Sequence, residues 1–261
     1  MRMTGSATPS GLAIFSFRQN DVLVTEAAVP ASPLIRSGRI YAEVNGPVDT
    51  GVAIANPNAQ TAHISFSFTD ANGQEFGRGT TSVPASGQIA AFLDQSPFNG
   101  GSSVIGTFTF NSDVPVAAVA LRGFTNERSE FLITTLPVAP LTGIRDTVVF
   151  PHFADGGGWT TQIGLVNPTD ETISGTVQFL GQGTAAAAAQ PATMTIDGQT
   201  GGTFTYSIPA RSSRRLQTSG LSSGAQAGSV RVTPAANNNA PSGIGIFSFR
   251  SGGITVSEAG V

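Results

Sequence analysis

The sequence contains no cysteine and no lysine, and it has few charges of either sign. Charged residues make up 11% of the 261 positions, and all 13 basic residues are arginine. Without cysteine there is no thiolate nucleophile, zinc–sulfur site or disulfide, and without lysine there is no Schiff-base or P-loop lysine. The lack of cysteine leaves the redox compartment open, since disulfide-free proteins occur in every compartment.

Long apolar runs and basic clusters are missing as well. No apolar stretch approaches the roughly 20 residues that span a bilayer, so we expect no transmembrane segment. The formal net charge is −3 without a basic arm, whereas a nucleic-acid binder usually needs a positive stripe to neutralise phosphates. The start, MRMTGSATPSG, lacks the apolar core of a signal peptide. We therefore expect no nucleic-acid partner, and no signal peptide in this chain.

What the sequence does contain is typical of short antiparallel strands joined by turns. Hydrophobic residues make up 39% of the chain, and glycine occurs 32 times. Apolar and polar residues alternate, as at Ile64, Phe66 and Phe68, which predicts strands buried on one face. Turn signals such as Asn72-Gly73 separate these runs. The sequence therefore predicts an all-β protein made of antiparallel β-sandwiches.

Internal duplication is the strongest signal in the sequence. Residues 9–29 and 241–261 are identical at 12 of 21 positions when compared without gaps, and each reads as a strand, a turn and a second strand. A more divergent third copy spans residues 114–138. The stretches that begin at Thr50 and Thr161 also correspond, with an Asn-Pro pair in the same register in each.

These repeats predict three units. Residues 1–34 are an orphan β-hairpin from a preceding repeat, residues 35–140 are β-sandwich module 1, and residues 141–261 are β-sandwich module 2, both immunoglobulin-like. Because so apolar a hairpin should not stay free in water, we expect it to be ordered. It would pair with an open sheet edge, cover the junction with module 1, or exchange between chains. Strand exchange or a homo-oligomer through residues 9–29 follows from the last alternative.

Several segments resemble a known repeat module. The motifs HFADGGGWTTQIGLVNPTDETISGTVQF, YSIPARSSRRLQTSG and SGIGIFSFRSGGITVSEAG look like a β-sandwich module that occurs, often in tandem, in large predicted secreted or surface proteins of soil bacteria. The resemblance implies an extracellular or cell-surface location. It implies no reaction, and no catalytic residue is carried over from it.

His152 and Asp155 are the candidate catalytic pair, beside the glycine-rich segment before Trp159. They predict either a shared metal or a base with its orienting carboxylate, and the alternative is a hydrogen bond between them that closes the loop. The linker alignment makes Glu43 the counterpart of His152 in module 1. A hydrolase of activated esters or phosphoesters, metal-assisted or not, is the catalytic hypothesis. No cofactor is required, although a divalent metal stays open.

Trp159, with Arg211, Arg214 and Arg215, is the candidate ligand-binding set. An exposed tryptophan stacks on sugars, and arginine pairs with carboxylate or sulfate groups, so the set predicts a glycan-binding module. The alternatives are a tryptophan packed under its own loop and a solvated strand face. His63 lies out of phase with its apolar neighbours, so we expect it to face solvent.

Two recurrent patterns have structural interpretations. The match Gly220-Leu221-Ser222-Ser223-Gly224 lies in a loop rather than between a strand and a helix, so it predicts a turn and not a nucleophile elbow. An arginine precedes a glutamate by eight residues in each hairpin copy, which predicts a cross-strand ion pair. These pairs are Arg18 with Glu26, Arg122 with Glu130, and Arg250 with Glu258.

The favoured hypothesis is a non-catalytic structural or adhesive module of a secreted or cell-surface bacterial protein. Duplication, low charge and scarce catalytic residue types favour it, while fold class alone does not, since sandwiches also host enzymes. Its partners would be cell-surface glycans or other protein modules.

Overall fold

A computed structural model describes residues 11–260 of the chain, and its regular structure is entirely β-strand. The prediction of an all-β, antiparallel sandwich fold is therefore confirmed. Residues 1–10 and residue 261, which belong to the predicted N-terminal unit and to module 2, lie outside the described residues. Across residues 11–260 there is no helix with the length and apolar character needed to cross a membrane.

The N-terminal hairpin consists of β1 (Leu12–Gln19) and β2 (Val22–Pro30). In the described part of the chain these strands form a two-stranded sheet of their own. The turn between them has left-handed backbone at Asn20 and Asp21, with φ of 49° and 63°, which short polar side chains tolerate better than most.

Residues 35–136, the first sandwich, form an antiparallel sheet that one long strand folds into two layers. The strands are β3 (Ile35–Asn45), β4 (Val48–Ala55), β5 (Ala62–Asp70), β6 (Glu75–Val83), β7 (Gln88–Phe92), β8 (Val104–Thr125) and β9 (Phe131–Leu136). The first half of β8 pairs with β3 and β5, and its second half pairs with β4 and β9. Phe108 and Ala120, from the two halves, lie in the same buried core.

Residues 148–260, the second sandwich, repeat this strand order. The strands are β10 (Val148–Asp155), β11 (Trp159–Val166), β12 (Ile173–Gly181), β13 (Met194–Ile196), β14 (Gln199–Gly201), β15 (Thr203–Ile208), β16 (Ser213–Gln217), β17 (Gln226–Pro234), β18 (Ser242–Ser251) and β19 (Ile254–Gly260). One sheet has the order β10-β17-β12-β15 and the other β16-β11-β18-β19. Strands β17 and β18 therefore stand where the two halves of β8 stand, and β13 and β14 form an extra small hairpin.

A buried asparagine holds the same turn in each sandwich. The Nδ2 atoms of Asn56 and Asn167 lie 2.7–3.1 Å from three backbone oxygens apiece, and each Oδ1 accepts the N–H of the residue two positions later. Both residues are at most 1% exposed, where an amide without partners would be costly. The asparagines of the two Asn-Pro pairs therefore stabilise the equivalent turn in each sandwich.

Both terminal hairpins pack against β9. On one side, the Thr25 hydroxyl donates to Ile133 O and accepts from Ile133 N, both at 3.3 Å. On the other side, the Gly260 N–H donates to Thr134 Oγ1 at 2.6 Å. Of the three placements expected for the N-terminal hairpin, pairing with a sheet edge does not occur within residues 11–260, because the Thr25 hydroxyl takes the backbone groups of β9 that a ladder would use. The hairpin is ordered and covers this side of β9.

Candidate functional site

His152 and Trp159 line the same cavity, which lies between the two layers of the second sandwich. The cavity has a volume of about 420 Å³, and Gln226, Phe247 and Ala259 also line it. The walls come from β10, β11, β17, β18 and β19. The sequence placed both His152 and Trp159 among its candidates, although it assigned them to different sites.

The two aromatic candidates rest on phenylalanines of β18. The His152 ring is exposed and meets Phe247 edge-on, with centroids 5.3 Å apart. The Trp159 ring lies 4.8 Å from Phe249, its cross-strand neighbour, and is half-buried. Trp159 therefore packs on the adjacent strand, which leaves part of its ring facing the cavity.

Asp155 lies apart from the imidazole. It is 3% exposed, and its Oδ1 accepts the Gly220 N–H at 2.9 Å. Among residues 11–260, then, His152 and Asp155 have separate partners, and neither the base–orienter pair nor the loop-closing bond between them is formed. Asp155 instead anchors the segment Gly220–Gly224, a loop that leads into β17 and not into a helix, as the turn interpretation requires.

The correspondence between His152 and Glu43 is wrong. Thr50 Oγ1 bonds the N–H and C=O of Glu43 at 2.9 and 3.0 Å, and Thr161 Oγ1 bonds those of Ala154 at 3.0 and 2.7 Å. The counterpart of Glu43 is therefore Ala154. A bulge in β10 just before this position inserts one extra residue, which accounts for one of the two positions by which the linker comparison was out of register.

The arginine cluster lies away from the cavity. Arg214 pairs with Leu165 near the end of β11, six residues beyond Trp159, which is about 20 Å at the rise of an extended strand. Arg211 lies within 4 Å of two carboxylates, and Arg215 contacts Glu43 of the first sandwich at 3.3 Å. Trp159 and the arginines thus face different neighbours, and their joint role in glycan binding stays a prediction.

A buried charge network joins the two sandwiches. Arg122 Nη1 lies 3.1 Å from Glu43 Oε2, and Arg122 Nε lies 3.2 Å from Glu258 Oε2; the three side chains are 3–6% exposed. The Tyr41 hydroxyl donates to Glu43 Oε2 at 3.1 Å. Burial, reinforced by the nearby Glu43 carboxylate, raises the pKa of Tyr41 well above its usual range, so this hydroxyl stays a donor.

Arg39 adds a second polar link across the junction. Its Nε donates to Thr109 Oγ1 at 2.8 Å, and its Nη1 donates to the carbonyl of Asn167 in the second sandwich at 2.7 Å. The residue is 3% exposed. Burial lowers the pKa of Arg39 to about 10, against the opposing effect of Asp170, so the guanidinium remains charged at neutral pH.

The predicted arginine–glutamate pairs at a spacing of eight do not form. Glu26 accepts from Ser16 at 2.6 Å and Glu258 from Ser248 at 2.8 Å, while Arg250 pairs with Glu127 at 3.0 Å. In the two terminal hairpins, which each contain a bulge, the serine lies opposite the glutamate. Serine followed by glutamate ten residues later was the sequence signal that would have predicted this contact. The hairpin made by β8 and β9 pairs in regular register, and there Arg122 meets Glu43 and Glu258 while Glu130 meets Arg128.

Two other candidates are placed as follows. His63 is exposed, as expected, with Nδ1 3.1 Å from Ser82 Oγ. No group of three or more histidine or acidic side chains with metal-binding geometry occurs within residues 11–260. The hypothesis of a metal at His152 and Asp155 stays a prediction.

Fold and junction together define an all-β protein of two joined antiparallel sandwiches. No protein-family model matches the chain, and no curated protein matches it either. Among solved structures, it is similar to protein 1070 of Thermotoga maritima at 15% identity and a TM-score of 0.34, over 40% of this chain and 90% of that one. It is also similar to the Anabaena sensory rhodopsin transducer at 17% identity and a TM-score of 0.30, over 34% of this chain and 98% of that one. For the PBSX exported protein XepA the identity is 11% and the TM-score is 0.21, over 88% of this chain and 96% of that one. Likenesses this low carry no argument about function.

Proposed function

We propose that this protein is a non-catalytic structural or adhesive module of a secreted or cell-surface bacterial protein, in which two sandwiches act as one stiff unit. The observation that carries the proposal is the junction, where Arg122 bridges carboxylates from both sandwiches. A stiff connection is what a spacer or a presenting platform needs, whereas nothing in a hydrolytic reaction requires it.

The physical argument is the high cost of uncompensated buried charge. Removing an ion from water costs several kcal/mol, which a partner at close range offsets only in a fixed geometry. Rotating one sandwich against the other would separate Arg122 from Glu258 and Arg39 from the Asn167 carbonyl. The arrangement seen in the structure is therefore strongly preferred over rotated ones.

Distance measurement between the two sandwiches tests this proposal. Because the chain has no cysteine, spin labels can be attached at Thr80→Cys and Arg231→Cys, two exposed strand positions outside the junction. We expect one narrow distance distribution in the parent. Arg122→Ala should broaden it, while Arg128→Ala, which removes an exposed ion pair with Glu130, should leave it narrow.

Two results would contradict the proposal. One is a broad distribution in the parent protein, which would mean that the sandwiches move independently. The other is hydrolysis of activated esters or phosphoesters that is lost in His152→Ala while the fold, followed by circular dichroism, stays intact.

A further inference from the structure

One face of the N-terminal hairpin, called here its outer face, carries Leu12 and Ile14 and is left uncovered by the residues that the structure describes. Leu12 and Ile14 are 62% and 65% exposed, whereas their counterparts in the C-terminal hairpin, Ile244 and Ile246, are 2% and 1% exposed. The two hairpins share sequence and register, including the contact between serine and glutamate. One surface is thus buried in one copy and exposed in the other.

The hairpin made by β8 and β9, called here the central hairpin, covers Ile244 and Ile246. Both isoleucines belong to the core cluster of the first sandwich. Glu258, on the same face of the C-terminal hairpin, reaches Arg122, and Gly260 donates to Thr134. The outer face of the C-terminal hairpin therefore rests on the inner face of the hairpin made by β8 and β9.

The packing of one hairpin on the next occurs a second time in the chain. Ile133 and Thr135 stand in β9 where Glu258 and Gly260 stand in β19, as the strand registers show. Ile133 bonds to Thr25, and the Thr135 hydroxyl donates to Ala28 O at 2.9 Å. The central hairpin thus rests on the N-terminal hairpin, and the three form a stack in which β9 contacts β19 on one face and β2 on the other.

Within residues 11–260, no further hairpin packs on the outermost face at either end of this stack. At the first end lie Leu12 and Ile14 on the outer face of the N-terminal hairpin. At the other end lies the inner face of the C-terminal hairpin, where Phe247 and Ala259 line the cavity that also contains Trp159. Inside the chain, the outer face of one hairpin packs on the inner face of the next. The two end surfaces are one outer face and one inner face.

We infer that the outer face of the N-terminal hairpin docks into the His152–Trp159 cavity of a second copy of this chain, so that copies associate head to tail. Phe247 occupies the register position of Arg122, the residue that Glu258 meets inside the chain. Glu26, the counterpart of Glu258, then lies beside Phe247 and the His152 ring that contacts it. A carboxylate facing an imidazole is a favourable pairing.

The predicted contact is heterologous and small. Heterologous contacts do not pair off into closed dimers but continue from copy to copy. Interfaces below about 1,200 Å² in total are generally weak and transient. Association should therefore depend on concentration and should add copies one at a time.

Sedimentation of the full chain tests the inference. We expect the weight-average mass to rise continuously with protein concentration. Ile14→Asp should remove the docking hairpin face and Ala259→Asp the receiving cavity, so each variant alone should stay monomeric. Val149→Asp, a change at a 55% exposed position outside both surfaces, should associate like the parent.

Mixing the two variants gives the sharpest result. Ile14→Asp keeps a working cavity and Ala259→Asp keeps a working hairpin, so their mixture should form a one-to-one dimer and nothing larger. A parent that stays monomeric at all concentrations, variants that associate like the parent, or a mixture that stays monomeric would each overturn the inference. Thermal melts matching the parent establish that the variants are folded. If the association inference fails, a narrow distribution of label distances between the two sandwiches would still support the proposed structural function.

Discussion

Arg122 is the residue on which the junction depends most. Its guanidinium satisfies Glu43 and Glu258 at once, with all three side chains almost fully buried. Sequence reasoning selected Arg122 but gave it Glu130 as partner, because only local spacing was available. Its actual partners lie 79 and 136 positions away in the chain, a separation that no local pattern encodes.

Truncating Arg122 should therefore be costly. We expect Arg122→Ala to lower the free energy of unfolding by about 3–5 kcal/mol, the usual cost of leaving buried charges unpaired. Arg215→Ala is the matched control, since Arg215 meets the same Glu43 with a side chain that is 44% exposed and should cost about 1 kcal/mol or less. Urea denaturation measures the free energy of unfolding of both variants. Equal decreases would show that burial of Arg122 does not increase the contribution of its ion pairs to stability.

Asp49 should make stability depend on pH. Burial, with the nearby Asp94 carboxylate, raises the pKa of Asp49 from 3.8 to about 7. Between these two values the folded state binds more protons than the unfolded state, so stability falls as pH rises from about 4 to 7 and then levels off.

Asp49→Asn removes this titration. We expect its melting temperature to exceed that of the parent at pH 8 and to approach the parent value at pH 4. The exposed Asp197→Asn serves as control. A constant difference between Asp49→Asn and parent across this range would contradict the assigned pKa.

At the scale of elements, the internal repeats and the apolar–polar alternation of the sequence predicted the strands and the hairpins. Period-two patterns such as Ile64, Phe66 and Phe68 identified strands, because one face of each is buried. Duplication identified the hairpins at 9–29 and 241–261. The bulge in β10 and the bulges in the hairpins were not predictable, since one inserted residue changes which side chains meet without altering composition. The bulge in β10 explains part of the misplaced Glu43 correspondence, and the bulges in the two terminal hairpins set which residues face Glu26 and Glu258.

The N-terminal hairpin should stabilise the first sandwich. Deleting residues 1–31 uncovers β9 and removes the hydroxyl contacts of Thr25, so we expect a lower melting temperature than in the parent. The double variant Thr25→Val with Thr135→Val keeps the hairpin and removes only hydroxyl contacts, so its melting temperature should lie between the two. A deletion that melts like the parent would show that the hairpin contributes nothing to β9.

At the scale of the whole molecule, the stack of hairpins and the charged junction explain different properties. The proposed rigidity rests on the junction, and the proposed association of copies rests on the surfaces at the two ends of the stack. The cavity with His152 and Trp159 could be anticipated only as separate residues, because it forms where β10, β11 and the C-terminal hairpin come together. The division at residues 140 and 141 into folding units stays a prediction from the repeats.

The continuity of β8 has a further consequence for how the protein comes apart. In the first sandwich a single 22-residue strand belongs to both layers, so neither layer can open without disturbing the other. In the second sandwich a loop separates β17 from β18. Opening of the C-terminal hairpin therefore breaks its pairing with β11 and its contacts with the first sandwich, but it leaves the sheet that contains β17 paired. Amide protons of β18 and β19 should then exchange with solvent through partial opening, whereas those of β8 should exchange only when the whole first sandwich unfolds.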